Sequence, residues 1–440
     1  MIFSKEGFGR IDYPLVIAVI LLCIIGIMMI YSAGFDPIDK VNSGLYRRQI
    51  LWFIFGFILM IGMTIISYQA LGEYALHIYA ALVAILLFTT IFGRPVRNTR
   101  AWINLFGVFS IQPSEFMKLG LVIVLAKYLE IRERDMSRLR ELVIPTLLTF
   151  VPVLIILQQP DFGTAIIFIP ILFTMFFVGG ADVTHLVSIV LIAAIAIIVP
   201  MILTYREWVG AEGSNFLLDF FQDVNLILIV SAVMLVIAIT CFVLHYFSVS
   251  KMWRKIYIPA AVISLGLMTS AIIQKLFKTY QKKRILVFLN PDLDPQGSGY
   301  NIIQSKIAIG SGGFFGKGFL QGSQAQLGFL PEKSSDFIFS VVAEEWGMIG
   351  ALITISLFAF VIARGIQTAL EAKDKFSALL ASGITTIFLF HVVINIGMTL
   401  GIMPVTGLPL CFVSYGGSNL LMSMIAIGIL INIRGRRTIF

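Results

Sequence analysis

The residues best equipped for chemistry are carboxylates and cations gathered between about 278 and 335, with a few more set into apolar runs. The segment Asn290-Pro291-Asp292-Leu293-Asp294-Pro295-Gln296-Gly297 places two carboxylates just after the apolar run 285–289. Apolar surroundings disfavour the charged form of a carboxylate and raise its pKa, which suits a general base. The same segment is also turn chemistry, because Asp before Pro opens a turn and Gly closes it. Asp294 therefore has a structural role ready as an Asx-turn residue. On these grounds Asp292 and Asp294 are equally eligible. Around them lie Lys275, Lys278, Lys282, Lys283, Arg284, Lys306, Lys317 and Lys333, and a glycine cluster at 310–318. Cations that neutralise a phosphate, beside glycines whose backbone can approach it, fit a pocket for an anionic substrate. The alternative is a solvated basic loop touching anionic headgroups.

Glu115 and Lys118, in QPSEFMK, lie three apart on one helical face. Charges so close to hydrocarbon are costly, so they pair with each other or face a protein cavity. Asp161, in QQPDFGTA, stands where a helix should begin and reads equally as its N-cap. Glu332 and Asp336, in LPEKSSDF, precede an apolar helix whose N-terminus favours negative charge. Glu344 and Glu345 lie deeper in that helix and should face the interior. The stretch from Ser414 to Ser418 permits close packing of spans. His77, His185, His245 and His391 are scattered and form no ligand pattern, and Cys23, Cys241 and Cys411 lie inside apolar runs. Neither set suggests a metal or a disulfide.

The elements that must hold these residues follow from composition. The chain has 440 residues, 58% hydrophobic and 13% charged, with a mean hydropathy of +0.96. A soluble domain is about 25% charged, so a cytosolic enzyme, a disordered tail, a disulfide-stapled secreted domain and a free nucleic-acid binder are excluded. The apolar runs are unbroken and of bilayer-spanning length, where a transmembrane barrel would alternate. The expectation is an all-α, polytopic membrane bundle of about twelve spans, near 14–33, 50–67, 74–93, 113–129, 142–158, 164–180, 183–205, 225–248, 256–277, 336–363, 376–401 and 409–433. The start, with Lys5 and Arg10 ahead of a long apolar run, resembles a signal anchor. With both termini cytoplasmic, inner segments carry fifteen cations, including Arg132, Arg134, Arg138, Arg140, Arg434, Arg436 and Arg437, while short outer loops carry seven. Lys/Arg bias thus places the long 278–335 loop outside.

Several stretches together resemble one family. DPQGSGYNIIQSKIAIGSGGFFGKG, LGFLPEKSSDFIFSVVAEEWGMIG, AWINLFGVFSIQPSEFMKL, QQPDFGTA and NIGMTLGIMPVTGLPLCFVSYGGSNLL are similar, in order, to motifs of the SEDS membrane glycosyltransferases (shape, elongation, division and sporulation). The QSKIAIGSGG form resembles the rod-elongation branch more than the division branch. The resemblance covers about 1–205 and 275–440 of a single membrane domain. It implies ten spans, so 206–255 reads as a lineage-specific insertion, and 278–335 as the extracytoplasmic catalytic loop. It lifts Asp294 above Asp292 as catalytic base. It makes Glu115 and Lys118 cavity residues near the substrate headgroup, and Arg100, beside Arg97 and Trp102, a pyrophosphate clamp. Asp161, Arg284, Lys306, Lys317, Glu332 and Asp336 complete the substrate-binding candidates.

The reaction so implied joins two lipid-linked disaccharide-pentapeptides in the cytoplasmic membrane. The 4-hydroxyl of an incoming lipid II displaces the undecaprenyl pyrophosphate of a growing glycan. Lys/Arg side chains, with or without a divalent cation (Mg or Mn), would offset the charge that develops on the leaving group. The resemblance further implies a class B penicillin-binding protein as transpeptidase partner within the elongation machinery, since no serine-nucleophile motif for crosslinking is present. Two other classes compete: a lipid II flippase, which should show broken or charged helices at mid-membrane, and a non-catalytic assembly scaffold.

Overall fold

The computed structural model describes residues 12–36, 41–93, 101–105, 109–209, 224–248, 250–276, 290–291, 294–295 and 299–436. Its elements are α1 (Tyr13–Ala33), β1 (Phe35–Asp36), β2 (Val41–Asn42), α2 (Leu45–Ile65), α3 (Tyr68–Glu73), α4 (Ala75–Phe92), β3 (Ile103–Leu105), β4 (Phe109–Ile111), α5 (Pro113–Ile131), α6 (Val143–Gln158), α7 (Phe162–Gly179), α8 (Val183–Val209), α9 (Val224–Ser248), α10 (Lys251–Leu276), α11 (Tyr300–Gly312), α12 (Ser323–Gln326), α13 (Ile338–Leu370), α14 (Lys375–Thr399) and α15 (Gly417–Arg436). The strands form two short antiparallel hairpins, with Phe35 opposite Asn42 and Asn104 opposite Ser110.

Among the described helices, eleven are long and apolar enough to cross a membrane. The twelfth expected span is α5, 19 residues long, whose Glu115, Lys118, Lys127 and Glu130 lower its hydropathy. Most of it is nonetheless enclosed by protein, so Glu115 and Lys118 face neighbours and not lipid, while Lys127 and Glu130, paired at 2.8 Å, stay partly exposed near its end. The molecule is a polytopic helical membrane protein. The last span begins at Gly417 and not near 409, because the chain from Pro409 to Gly416 folds as an irregular segment. Gln49 holds that segment, donating to Ser414 O at 3.1 Å. A Cβ at Gly417 would lie 2.2 Å from the Trp52 indole, which is the close packing expected of this stretch. Helix α13 is interrupted at Gly347, where φ is 65°, and residues 348–370 beyond the break give about 35 Å of helix against a hydrocarbon core of about 30 Å.

The chain divides into two compact units. The first comprises 1–181 and 301–440. Its centre is α5, α14 and α15, the last two with 78% and 89% of their apolar windows buried. At one end, Asp12 accepts from Arg434 Nε at 3.0 Å and the Tyr68 hydroxyl donates to Asp374 at 2.6 Å. Asn432 Nδ2 donates to Thr64 O and Ile66 O there. The other end carries the candidate residues. The second unit, 182–300, packs α8, α9 and α10 through Ile227, Leu267 and Ala271, with Ser231 and Ser264 each donating to the other's carbonyl at 2.9 and 2.8 Å. It contains the whole of 206–255.

Candidate active site

At the second end of the first unit, several helices begin together: α5, α7, α13 and α15. Each brings unsatisfied amides and the positive end of a helix dipole. The α5 start is set by Gln112 in extended conformation and Pro113 at the first helical position. Gln112 N donates to Ser418 Oγ at 2.8 Å, and its side-chain amide donates to Asp161 Oδ2 at 2.6 Å. Asp161 Oδ1 accepts from Thr164 N at 3.1 Å, capping α7. Asp161 thus fulfils its capping role while joining the starts of α5 and α7.

One turn deeper, Lys118 Nζ lies 2.9 Å from Glu115 Oε2 and 2.8 Å from His391 Nε2. His391 Nδ1 lies 2.9 Å from Pro409 O. Lys118 and His391 are both 0% exposed. Glu115 and Lys118 are therefore enclosed and engaged with each other and with α14. Asn395, one turn along α14 from His391, donates to Leu408 O at 2.7 Å and to Asp336 O at 2.9 Å. Ser414 Oγ donates to Ser335 O, and Tyr415 N to Ser334 O at 2.8 Å. The segments 331–337 and 400–416 are in this way sewn to each other and to α14. Glu332 caps its own turn, its carbonyl accepting from Asp336 N at 3.1 Å and its carboxylate from Ser335 Oγ at 3.2 Å. Lys333 Nζ donates to Ala325 O. Burial, partly opposed by Asp36, holds the Lys333 ammonium below the usual lysine pKa.

The remaining candidates fall apart in kind. Lys317 Nζ pairs with Glu344 Oε1 at 2.8 Å; Glu344 also accepts from Gln324 N at 2.9 Å and Ala325 N at 3.1 Å. Glu345, likewise buried, accepts from the Ser32 hydroxyl, so both glutamates face protein as expected. Lys306 is exposed on α11, its chain beside Gly401. Arg100 and Arg284 lie outside the described residues, as do Arg97 and Asp292. Asp294 belongs to the second unit. It is partly buried in a bend, with its N–H donated to Pro291 O at 3.2 Å and its carbonyl accepting from Gly299 N at 3.1 Å. A turn closed by Gly299 is present around Asp294; Gly297, which ends the expected turn segment, lies outside the described residues.

Sequence reading missed His391, Asn395, Gln112 and Ser418. The available signal was polar spacing: His391 and Asn395 stand four apart in an otherwise apolar run, one face of a membrane helix. Among the described residues no three His, Cys, Asp or Glu side chains gather as a metal site.

A sequence-family model described as a cell cycle protein, FtsW/RodA/SpoVE, matches residues 13–213 and 226–439. The chain belongs to this family. The FtsW/RodA/SpoVE match includes 226–255 and leaves 214–225 between its two parts. Relatives include peptidoglycan glycosyltransferase RodA of Treponema pallidum, 35% identical over 98% of this chain and 99% of that protein. Peptidoglycan glycosyltransferase MrdB of Escherichia coli K12 is 31% identical over 97% and 94%. Among solved structures, a chain from a peptidoglycan synthase complex superposes with a TM-score of 0.69 at 27% identity, covering 98% of this chain and 100% of its own length. Rod shape determining protein RodA of Thermus thermophilus gives 0.61 at 25% identity, covering 98% and 99%.

Proposed function

We propose that this protein is a peptidoglycan glycosyltransferase of the rod-elongation branch, polymerising lipid II into β-1,4 glycan. The observation that carries this reading is the end-to-end similarity to relatives named for that activity. In this reading both termini are cytoplasmic and residues 278–335 face the opposite side of the membrane, in keeping with the Lys/Arg bias.

A sugar hydroxyl is a poor nucleophile at neutral pH, so a base must take its proton as the new bond forms; the contribution is about 10²–10⁴-fold. Asp294 is assigned that role. Its backbone is pinned on both sides by the Pro291 and Gly299 hydrogen bonds, as a base held in one place requires. One displacement inverts the anomeric centre, turning an α-linked lipid sugar into a β-linked glycan, and the leaving pyrophosphate takes up negative charge. Lys306 is the exposed described cation assigned to it, with Arg100 and Arg284 as further candidates. Helix starts at α5, α7, α13 and α15 favour the same charge. Asp161, Glu115, Lys118, Glu332 and Asp336 are the further substrate-site residues assigned within the first unit, and Lys317 serves through Glu344. A class B penicillin-binding protein supplies crosslinking, consistent with the synthase complex that this fold resembles.

The test is polymerisation of fluorescent lipid II by the purified protein. Asp294→Ala should abolish glycan while thermal unfolding in detergent stays as in the wild type. Unchanged polymer removes the base assignment; lipid scrambling in liposomes without polymer favours a flippase instead. An Asp294→Cys variant should be labelled by impermeant thiol reagents from the outer side alone.

A further inference from the structure

The His391 imidazole makes two contacts that together fix its state. Pro409 O can only accept, so Nδ1 at 2.9 Å must carry a proton. Lys118 stands 2.9 Å from the Glu115 carboxylate, and an ammonium can only donate, so Nε2 at 2.8 Å must present its lone pair. His391 is thus a neutral, Nδ1-protonated imidazole, fully buried. A second proton would set an N–H against an ammonium in a site closed to water, where like charges are poorly screened.

This arrangement joins parts of the chain that are far apart in sequence. Lys118 and Glu115 sit in the first turns of α5, whose start holds Gln112, Asp161 and Ser418 together. Pro409 lies in the irregular segment between α14 and α15. Asn395, one turn along α14, takes the adjacent carbonyl of Leu408 and also that of Asp336. Two side chains of α14 therefore grip consecutive carbonyls of one segment, and one of them also holds a buried cation. We infer that His391 is a positioning residue of the polymerase site: through its Nε2 lone pair it places the Lys118–Glu115 pair, and through its Nδ1–H it ties that pair to the 408–409 backbone beside Asp336. The functional part of this inference rests on the polymerase reading; the coupling part does not.

The test uses the full-length protein in two arms. His391→Phe keeps the ring volume and removes donor and acceptor; His391→Gln keeps one of each on a planar group. In the lipid II assay His391→Phe should lower kcat about tenfold or more, with KM for lipid II within about twofold, as expected when geometry and not substrate affinity is lost. His391→Gln should recover kcat to within about threefold of wild type. In the second arm, thermal unfolding in detergent is measured for Lys118→Met, His391→Phe and the double variant. The double variant should be hardly less stable than the worse single one, since residues sharing one interaction are non-additive. Wild-type kcat in His391→Phe, or a His391→Gln variant that folds yet is as slow as His391→Phe, overturns the positioning role. Additive losses in the unfolding arm overturn the coupling. If the wild type makes no glycan while the unfolding arm shows coupling, the polymerase reading fails and the structural link stands.

Discussion

Gly299→Ala is the substitution that best separates a placed base from a merely present carboxylate. It leaves Asp294 chemically intact and changes only where it sits. A Cβ at 299 would fall 2.2 Å from Pro291 O and 2.9 Å from Asp294 O. A carbon beside a carbonyl oxygen settles at about 3.3 Å or more, so the Pro291 carbonyl or the new methyl must retreat by about 1 Å. Both hydrogen bonds of the turn end on these same atoms, Asp294 N to Pro291 O and Gly299 N to Asp294 O, and the retreat is passed directly to the Asp294 backbone. A misplacement of about 1 Å costs about 10²-fold in rate, or about 2.7 kcal/mol of barrier. Lipid II polymerisation should fall by that factor with little change in thermal unfolding, because the turn involves a few residues at the edge of its unit. Asp294→Asn, assayed beside it, should lose about 10²–10⁴-fold. A Gly299→Ala enzyme with the wild-type rate would refute the claim that this turn positions a catalytic base.

Other perturbations address the frame. Glu344→Ala removes the acceptor of Lys317 Nζ and of two backbone N–H groups from a fully buried position; the expected cost is about 3 kcal/mol, the low end for breaking a buried pair, because Lys317 can turn toward water. Thermal unfolding and limited proteolysis within 312–335 would register it, and Glu344→Gln should lose about half as much. At the opposite end of the first unit, burial and then the hydrogen bond to Asp374 push the Tyr68 hydroxyl up from 10.0 to about 12. The stability tied to its neutral form is complete below pH 10 and is lost as pH rises through about 12. Unfolding temperatures measured across that window should fall more steeply for the wild type than for Tyr68→Phe; equal slopes would count against the assignment.

The helical membrane fold was legible because each span is a long apolar run, and such runs admit few other structures in lipid. The exceptions are instructive. The run from 409 reads as helix on hydropathy, yet it stays irregular up to Gly416, because Pro409 O and Leu408 O are taken by side chains of α14, Ser414 Oγ by the 335 carbonyl, and Ser414 O by Gln49. Those partners lie from 13 to 365 residues away, and no local pattern announces them. The same is true of the site. The Glu115–Lys118 pair was visible as a three-residue spacing, while its third member, His391, is 273 positions distant from Lys118 and looked like one of four unrelated histidines.

The glycine-rich stretch shows how one composition serves two kinds of chemistry. Read as sequence, the cluster at 310–318 suits a phosphate cradle, which needs free amide N–H groups pointing at the anion. In the fold those amides are already donated: Gly316 N to Gly312 O at 2.9 Å, Lys317 N to Glu344 O at 3.0 Å and Gly318 N to Glu345 O at 3.0 Å. The last two recipients belong to α13 just before it breaks at Gly347, where φ is 65°. Beyond the break, Met348 N and Ile349 N donate back to Gly313 O and Phe314 O. A break in a helix leaves backbone groups without their intrahelical partners, and this stretch satisfies them as a splint. The glycines are required because a Cβ at 312 would lie 2.0 Å from Ala343 O and one at 316 would lie 2.1 Å from Glu345 O. With these backbone donors committed, what this stretch offers a pyrophosphate in the proposed reaction is side chains. Lys317 is held by Glu344, which leaves exposed Lys306 as the described cation in this part of the chain whose removal should weaken polymerisation without loosening the fold.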